Sequence, residues 1–107
     1  MDWLTPNMPD DDGASAIVHG DYRIDNMIYA KDSPQILALL DWELSTLDHP
    51  LADLAYQCMH WHLPNAAEFN GLAGMDRAAI GIPTEEEYVA KYCDRRGTQV
   101  PDNWNFY

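Results

Sequence analysis

Apolar and polar residues alternate in short blocks over the first half of the chain. Two apolar blocks, Ala16–Val18 and Met27–Tyr29, are short and contain β-branched or aromatic side chains, which is typical of strands. A third block, Ile36–Leu40, is a continuous apolar run after the turn residues Lys31–Pro34, and it predicts a strand buried on both faces. We therefore expect three short strands with polar residues at their ends, after an irregular entry segment over residues 1–15.

The second half changes to the three- and four-residue spacing of an amphipathic helix. Pro50 suits the first turn of a helix, because the N–H that proline lacks needs no partner there. The apolar positions at helical spacing are Leu51, Leu54, Ala55, Cys58 and Met59. The pattern predicts a helix from Pro50 to about His62, followed by a loop over residues 65–82 with at most one helical turn.

A second helix is predicted by its own start and stop signals. Thr84 and Glu87 have the spacing of a capping box, in which each side chain accepts a hydrogen bond from the other residue's backbone N–H. Gly97 suits the left-handed conformation that ends many helices. We expect a helix over residues 84–96 and, with the strands, an α+β fold.

Composition narrows the classes of function. The chain has 107 residues with 18 acidic and 6 basic side chains, which gives a net charge of −12. The length fits one domain or part of one. Nucleic-acid binding and binding to anionic membranes are disfavoured, because both need clustered Lys and Arg. The acidic balance is compatible with a divalent cation, although the run Asp10–Asp12 is more typical of a solvated segment than of a metal site.

Targeting signals and cysteines suggest a compartment. No apolar run approaches the ~20 residues of a membrane span, and the first residues lack the basic start and apolar stretch of a signal peptide. Without a secretory signal, Cys58 and Cys93 are predicted to be reduced, buried thiols. We expect a cytoplasmic protein.

Three polar residues at the strand ends have the chemistry of phosphoryl transfer. Asp21 and Asn26 lie five positions apart between two predicted strands, and Asp41 follows the third. One carboxylate can orient a substrate hydroxyl and take its proton, while an amide oxygen and a second carboxylate can hold Mg²⁺ on nucleotide phosphates. His19 completes the spacing His-x-Asp-x-x-x-x-Asn found in protein kinases. Gly20 in place of Arg, and Trp-Glu after Asp41 in place of Phe-Gly, separate the chain from protein kinases.

Three blocks of sequence, Ile17–Asn26, Leu40–Leu47 and Pro50–Tyr56, resemble the aminoglycoside phosphotransferase and choline kinase superfamily. Within it, the chain is most similar to phosphotransferase domains related to those beside acyl-CoA dehydrogenases. The resemblance implies a partial protein-kinase-like C-terminal lobe, whose short strands carry the catalytic and metal loops and are followed by helices. It also implies ATP as co-substrate, Mg²⁺ or Mn²⁺, and a small-molecule acceptor that bears a hydroxyl.

The resemblance assigns roles to the residues that act on the substrate and on the nucleotide. It makes Asp21 the catalytic base or the carboxylate that orients the hydroxyl, and it makes Asn26 and Asp41 the metal ligands. Arg23 would neutralise charge on the transferring phosphoryl group. In isolation, Asp25-Asn26 is more typical of a simple turn, and only Asp21 and Asp41 favour the site interpretation. Arg23 could instead pair with a surface carboxylate.

The resemblance assigns supporting roles to three further residues. His19 would brace the catalytic loop, Asp53 would accept hydrogen bonds from backbone N–H groups of that loop, and Glu43 would lie in the outer shell of the metal. Asp53 could instead be a solvated helix residue. One departure from relatives is Asp48-His49-Pro50, where they usually carry Gly-Asp before the proline.

The resemblance also implies segments that these 107 residues do not include: an N-terminal nucleotide-binding lobe and further C-terminal helices. We therefore expect the chain to represent a catalytic-lobe fragment that transfers no phosphate by itself. We also expect it to self-associate through apolar faces on the helices 50–62 and 84–96. The alternative is a truncated, non-catalytic fragment that binds a metal or a partner weakly.

Overall fold

Short antiparallel strands and helices make up the computed structural model, which describes residues 3–66 and 69–107. The fold class is therefore mixed α+β. The chain divides into two compact units, which we call the site unit, residues 12–57, and the helix unit, residues 1–11 and 58–107.

Two strand pairs build the site unit. Strand β1, Ala16–Val18, pairs antiparallel with β4, Thr46–Asp48, and strand β2, Met27–Tyr29, pairs antiparallel with β3, Ile36–Leu39. In the first pair Val18 lies opposite Thr46, so the chain that leaves β1 runs beside the chain that enters β4. Both pairs are two-stranded, and the polar residues Asp21, Asn26 and Asp41 lie in the loops at the strand ends.

The prediction of a strand buried on both faces was wrong. The strand is present at Ile36–Leu39, but Ile36 is 44% exposed and Leu37 is 59% exposed. A two-stranded sheet offers β3 hydrogen bonds from one neighbour and leaves its faces to be covered by other elements. Within the described residues, these two side chains remain exposed. Strand β4 was not predicted at all.

Helix α2, Ala52–His62, confirms the predicted helix, with a start two residues later than expected. Leu54, on this helix, is 3% exposed, and Val18 at the end of β1 is 4% exposed. These are the buried apolar side chains of the site unit among the described residues. Both lie next to the polar residues of the candidate site, so the site is built directly on the small core.

Helix α3, Glu85–Arg96, confirms the second predicted helix and its capping box. The Thr84 hydroxyl accepts from the N–H of Glu87 at 3.2 Å, and the Glu87 carboxylate accepts from the N–H of Thr84 at 3.0 Å. Gly97 ends the helix at φ 68°, in the left-handed region. The buried side chains of the helix are Val89 and Cys93.

Two segments predicted to be irregular contain short elements. Residues 4–7 form a helical turn, α1, Leu4–Asn7. Within 65–82 the structure has β5, Asn65–Ala66, paired with β6, Phe69–Asn70, and a single 3₁₀ turn at Ala78–Ile80. Residues 67 and 68 of that predicted loop lie outside the described residues, as do residues 1 and 2 of the entry segment.

Both cysteines are free and buried, as predicted. Cys58 is 2% exposed and Cys93 is 1% exposed. Burial, with a further contribution from the negative charge of Glu85, raises the pKa of the Cys58 thiol to about 12. This thiol therefore stays protonated and unreactive at neutral pH.

Exposed apolar side chains lie elsewhere than predicted. They are concentrated on the strands and turns of the site unit, including Ile17 at 73%, Leu47 at 72% and Leu44 at 60%. On the two long helices, Met59 is the only large apolar side chain among the described residues that is exposed. The prediction that both long helices expose apolar faces was therefore wrong. Self-association of the chain stays a prediction. No described helix has the length and hydropathy needed to cross a membrane.

The capping box gives a stability test for α3. Thr84→Ala removes the acceptor for the N–H of Glu87 and should lower the free energy of unfolding by about 1 kcal/mol, measured by urea denaturation. Glu87→Gln keeps an acceptor at the same position and should lower it less. Equal losses in the two variants would show that the hydroxyl acceptor is not what stabilises the helix start.

Candidate functional site

Asp53 anchors the loop that follows β1. Its Oδ2 accepts a hydrogen bond from the backbone N–H of His19 at 2.7 Å, and its Oδ1 accepts from the N–H of Gly20 at 2.9 Å. Asp53 lies in the first turn of α2, where a negative charge also interacts favourably with the helix dipole. One carboxylate thereby fixes two consecutive peptide groups, which sets the direction in which the loop leaves the strand.

His19 joins this loop to the end of β3. Its ring is 2% exposed, and Nε2 lies 2.7 Å from the carbonyl oxygen of Leu40, which can only accept a hydrogen bond. Nε2 therefore carries the proton, and Nδ1 is free to accept from the N–H of Asp21 at 3.3 Å. The Trp42 ring covers the imidazole with a centroid distance of 4.6 Å. A neutral imidazole with one proton satisfies both contacts.

Position 20 requires a glycine for two reasons: the backbone of Leu44 lies very close, and the backbone conformation is left-handed. Its φ is +83°, and a Cβ placed there would lie 2.5 Å from the backbone oxygen of Leu44. A side chain would be strained by the left-handed conformation and would collide with backbone that cannot move cheaply. The glycine at this position therefore lets the loop lie against the segment that leads into β4.

The Asp21 carboxylate is held on both oxygens. The Tyr56 hydroxyl donates to Oδ1 at 2.7 Å, and the Asn26 amide nitrogen donates to Oδ2 at 2.9 Å. Arg23 Nε lies 3.7 Å from Oδ1. The pKa of Asp21 is lowered from its ordinary value of 3.8, first by the hydrogen bond from Tyr56 and then by Asn26 and the positive charge of Arg23, with partial burial opposing them. The carboxylate is ionised at neutral pH.

The Asn26 side chain has a defined orientation. Its nitrogen donates to the backbone oxygen of Asp21 as well as to the Asp21 carboxylate, each at 2.9 Å. Both partners are acceptors, so the nitrogen must face them and the amide oxygen must face away. Among the described residues, no hydrogen bond reaches that oxygen, which leaves it available as a ligand.

The hairpin register brings Leu40, the residue before Asp41, to the backbone of Asn26. The N–H of Leu40 donates to the backbone oxygen of Asn26 at 2.9 Å, one position before Asp41. Asp41 itself has φ 64° and ψ 54°, the one non-glycine residue with positive φ in the described chain. This left-handed conformation turns the backbone out of the extended path of β3. Within the described residues, the carboxylate forms no hydrogen bond or ion pair.

Most of the predicted site residues come together in the site unit. The four polar residues His19, Asp21, Asn26 and Asp53 are linked by direct hydrogen bonds. Asp53 has the backbone contacts that the resemblance implies, and it is not a solvated helix residue. Asn26 does belong to a 3₁₀ turn, Ile24–Asn26, so the turn interpretation and the site interpretation both apply to it.

Two predicted residues are less constrained. Arg23 lies 3.7 Å from both Asp21 and Asp25 and is 44% exposed, so it pairs with the candidate base and with a surface carboxylate at once. Glu43 is exposed and, in the described part of the chain, has no hydrogen bond or ion pair. Its place in an outer metal shell stays a prediction.

Tyr56 was missed by the sequence analysis. Its helical spacing from Asp53, three residues along α2, was a usable signal, because residues at i and i+3 share one helix face. Because Asp53 faces the loop, the helical spacing predicts that Tyr56, about one turn later, also faces the loop.

Removing the Asp53 carboxylate tests the loop anchor. Asp53→Ala leaves the N–H groups of His19 and Gly20 without their acceptor and should lower the free energy of unfolding by ~1–3 kcal/mol. Hydrogen exchange of those two amides should accelerate by more than global destabilisation explains. Asp32→Ala, which removes an exposed carboxylate in the β2–β3 turn, serves as the control. A loss within ~0.5 kcal/mol of that control would contradict the anchor.

Comparisons with known proteins place the chain among phosphotransferases. A model of the phosphotransferase enzyme family matches residues 1–94. A crystal structure of a "putative aminoglycoside phosphotransferase" from Ralstonia eutropha JMP134 is 48% identical and has a TM-score of 0.90, over 99% of this chain and 32% of that one.

Curated relatives are longer proteins. Acyl-CoA dehydrogenase family member 10 of Mus musculus is 44% identical over 108 residues, which are 100% of this chain and 10% of the relative. Acyl-CoA dehydrogenase family member 11 of Homo sapiens is 37% identical over 107 residues, which are 99% of this chain and 14% of the relative. The chain thus spans about a tenth to a seventh of these relatives and about a third of the solved structure. With the match over residues 1–94 and the similarity in structure, the chain belongs to the phosphotransferase enzyme family.

Proposed function

We propose that the site unit carries the reacting half of an ATP-dependent phosphotransferase site that transfers phosphate to a hydroxyl of a small molecule. The observation that carries the proposal is the geometry of Asp21, an ionised carboxylate held on both oxygens and bonded to Asn26. The amide oxygen of Asn26 and the Asp41 carboxylate after β3 have no protein partner among the described residues. In this proposal the short strands and helices are part of a kinase-like C-terminal lobe.

Asp21 orients the acceptor hydroxyl and receives its proton. Because hydrogen bonds lower its pKa, Asp21 is a weak base, and it does not remove the proton before phosphoryl transfer begins. It instead holds the hydroxyl by accepting a hydrogen bond, and it takes the proton as bond formation to phosphorus acidifies the hydroxyl. This suits a loose transition state, in which the nucleophile needs orientation more than activation.

The donor set around Asn26 and Asp41 fits a magnesium ion. Both residues offer hard oxygen atoms, one neutral and one charged, and the Asn26 oxygen points away from the amide's own hydrogen-bond partners. Two protein oxygens are too few for a closed cage, which agrees with the preference of Mg²⁺ for water and substrate phosphates as its other ligands. When bound, the ion neutralises charge on the phosphates and orients them for in-line transfer.

Arg23 supports the same step from the acceptor side. Its guanidinium is partly exposed and is shared between Asp21 and Asp25 at 3.7 Å, longer than a hydrogen bond. A cation held this loosely can turn toward a more negative phosphoryl group at little cost. We assign Arg23 to charge neutralisation during transfer.

The metal site can be tested on the 107-residue chain. With Mn²⁺ and ATP present, paramagnetic broadening of NMR signals should centre on the amides near Asn26 and Asp41, because nucleotide phosphates complete the oxygen shell. Asp41→Asn should weaken the broadening, whereas Asp32→Asn, in the exposed turn, should leave it unchanged. Broadening confined to Asp10–Asp12 would place the cation site on the acidic run.

The base is tested by activity in a chimera that replaces the matching third of the solved Ralstonia relative with this chain. Phosphate transfer from ATP is followed by ³¹P NMR over a panel of hydroxyl compounds. Asp21→Asn should lower kcat by ~10²–10⁴-fold. Asp25→Asn, which removes the other carboxylate beside Arg23, is the matched control and should change kcat far less. Turnover of Asp21→Asn within about threefold of the parent would contradict the proposed role of Asp21 as the base.

A further inference from the structure

Tyr56 is placed by the same helix turn that fixes the catalytic loop. It lies three residues after Asp53 on α2, so both side chains extend from one helix face toward the loop. Asp53 binds the backbone at His19 and Gly20, and Tyr56 binds the side chain of the next residue, Asp21. The backbone and the carboxylate of the loop are therefore fixed from a single rigid element.

The contact between Tyr56 and Asp21 has one possible direction. The oxygens are 2.7 Å apart, and an ionised carboxylate can only accept, so the phenol is the donor. A hydrogen bond to a charged acceptor is stronger than one between neutral groups. Asn26 donates to the opposite carboxylate oxygen at 2.9 Å, so the two donors together define the plane of the carboxylate.

Without Tyr56, the Asp21 side chain would have a competing partner. Arg23 lies 3.7 Å from the oxygen that Tyr56 binds, and the pair is partly exposed. Rotation of the carboxylate toward the guanidinium would form a closer ion pair and would turn the Oδ2 oxygen away from Asn26. The phenol prevents this rotation, because it occupies the oxygen at hydrogen-bond distance and is itself held by the helix.

We propose that Tyr56 is a positioning residue, whose hydroxyl holds the Asp21 carboxylate in the orientation that receives the substrate hydroxyl. This inference rests on the proposed function for its catalytic consequence, but the contact itself can be measured without any reaction. The substitution Tyr56→Phe removes the donor by deleting a single oxygen, and it keeps the aromatic ring.

The test is NMR of side chains in the 107-residue chain at constant neutral pH. The carboxyl ¹³C signal of Asp21 and the side-chain NH₂ signals of Asn26 should both move in Tyr56→Phe, because the donor on Oδ1 is lost and the carboxylate can rotate away from Asn26. Tyr29→Phe is the matched control, since its hydroxyl donates to the Met27 sulfur at 3.3 Å, away from the site. Signals of Asp21 and Asn26 in Tyr56→Phe that match those in Tyr29→Phe overturn the proposal.

A reciprocal variant covers the case in which Tyr56→Phe fails to fold. The pKa of Tyr56 is raised above its ordinary value of 10.0. The largest cause is the hydrogen bond to Asp21, followed by burial of the phenol and by the negative charge of Asp21. In Asp21→Asn, with Tyr56 unchanged, the phenol should therefore titrate at a lower pH than in the parent. A phenol that titrates at the same pH in both chains overturns the proposal.

Activity separates this inference from the proposed function. If Asp21→Asn leaves turnover of the chimera unchanged while the Asp21 and Asn26 signals move in Tyr56→Phe and the Tyr56 titration shifts in Asp21→Asn, the proposed function fails and the carboxylate contact stands. If Asp21→Asn abolishes turnover, Tyr56→Phe should lower kcat by roughly 10- to 100-fold with KM within about a factor of two, because misorientation acts on the reacting complex. An unchanged kcat in that case overturns the positioning role while the proposed function stands.

Discussion

The arrangement of the candidate site depends on one carboxylate that binds only backbone groups. Asp53 accepts hydrogen bonds from two consecutive backbone N–H groups, those of His19 and Gly20, at the point where β1 ends. A loop that leaves a two-stranded pair has few neighbours to fix its direction. The charged acceptor supplies that direction, and hydrogen bonds to charged groups are among the stronger ones in proteins. The orientations of His19 and Asp21 follow from it, because both residues continue the same short segment.

The motif and the family resemblance together predicted that Asp21 and Asn26 belong to one site. The two side chains bond directly, and the register of β2 and β3 brings Leu40, the residue before Asp41, to the backbone of Asn26. Helix α3 was equally predictable, because its capping box is a local signal whose two hydrogen bonds lie within four residues. Features determined within a few positions of the chain could therefore be inferred from the sequence.

Features that depend on distant partners could be inferred only where the family resemblance supplied them, as it did for the contacts of Asp53. Strand β4 has no apolar alternation of its own and forms because β1, thirty residues earlier, offers it a partner. The apolar run at β3 indicated burial, but a sequence pattern does not reveal how many neighbours a strand acquires. The helical spacing from Asp53 could have placed Tyr56 on the face of α2 toward the loop. Its role depends on the direction of one hydroxyl, which is a property of the folded contact with Asp21.

The distribution of hydrogen-bond donors explains where a cation would act. Every oxygen of Asp53 and Asp21 accepts a hydrogen bond from a protein donor, so the charge of both carboxylates is already stabilised. Asp41 and Glu43, two positions apart, have no such partner in the described chain, and the nearby guanidinium of Arg23 is engaged with Asp21 and Asp25. Among the residues assigned to the site, the carboxylates without a protein donor are therefore the two that follow β3. In a chain of net charge −12, the proposed binding of a divalent cation with its nucleotide would lower the repulsion at this end, whereas Asp21 would keep the same donors in both states.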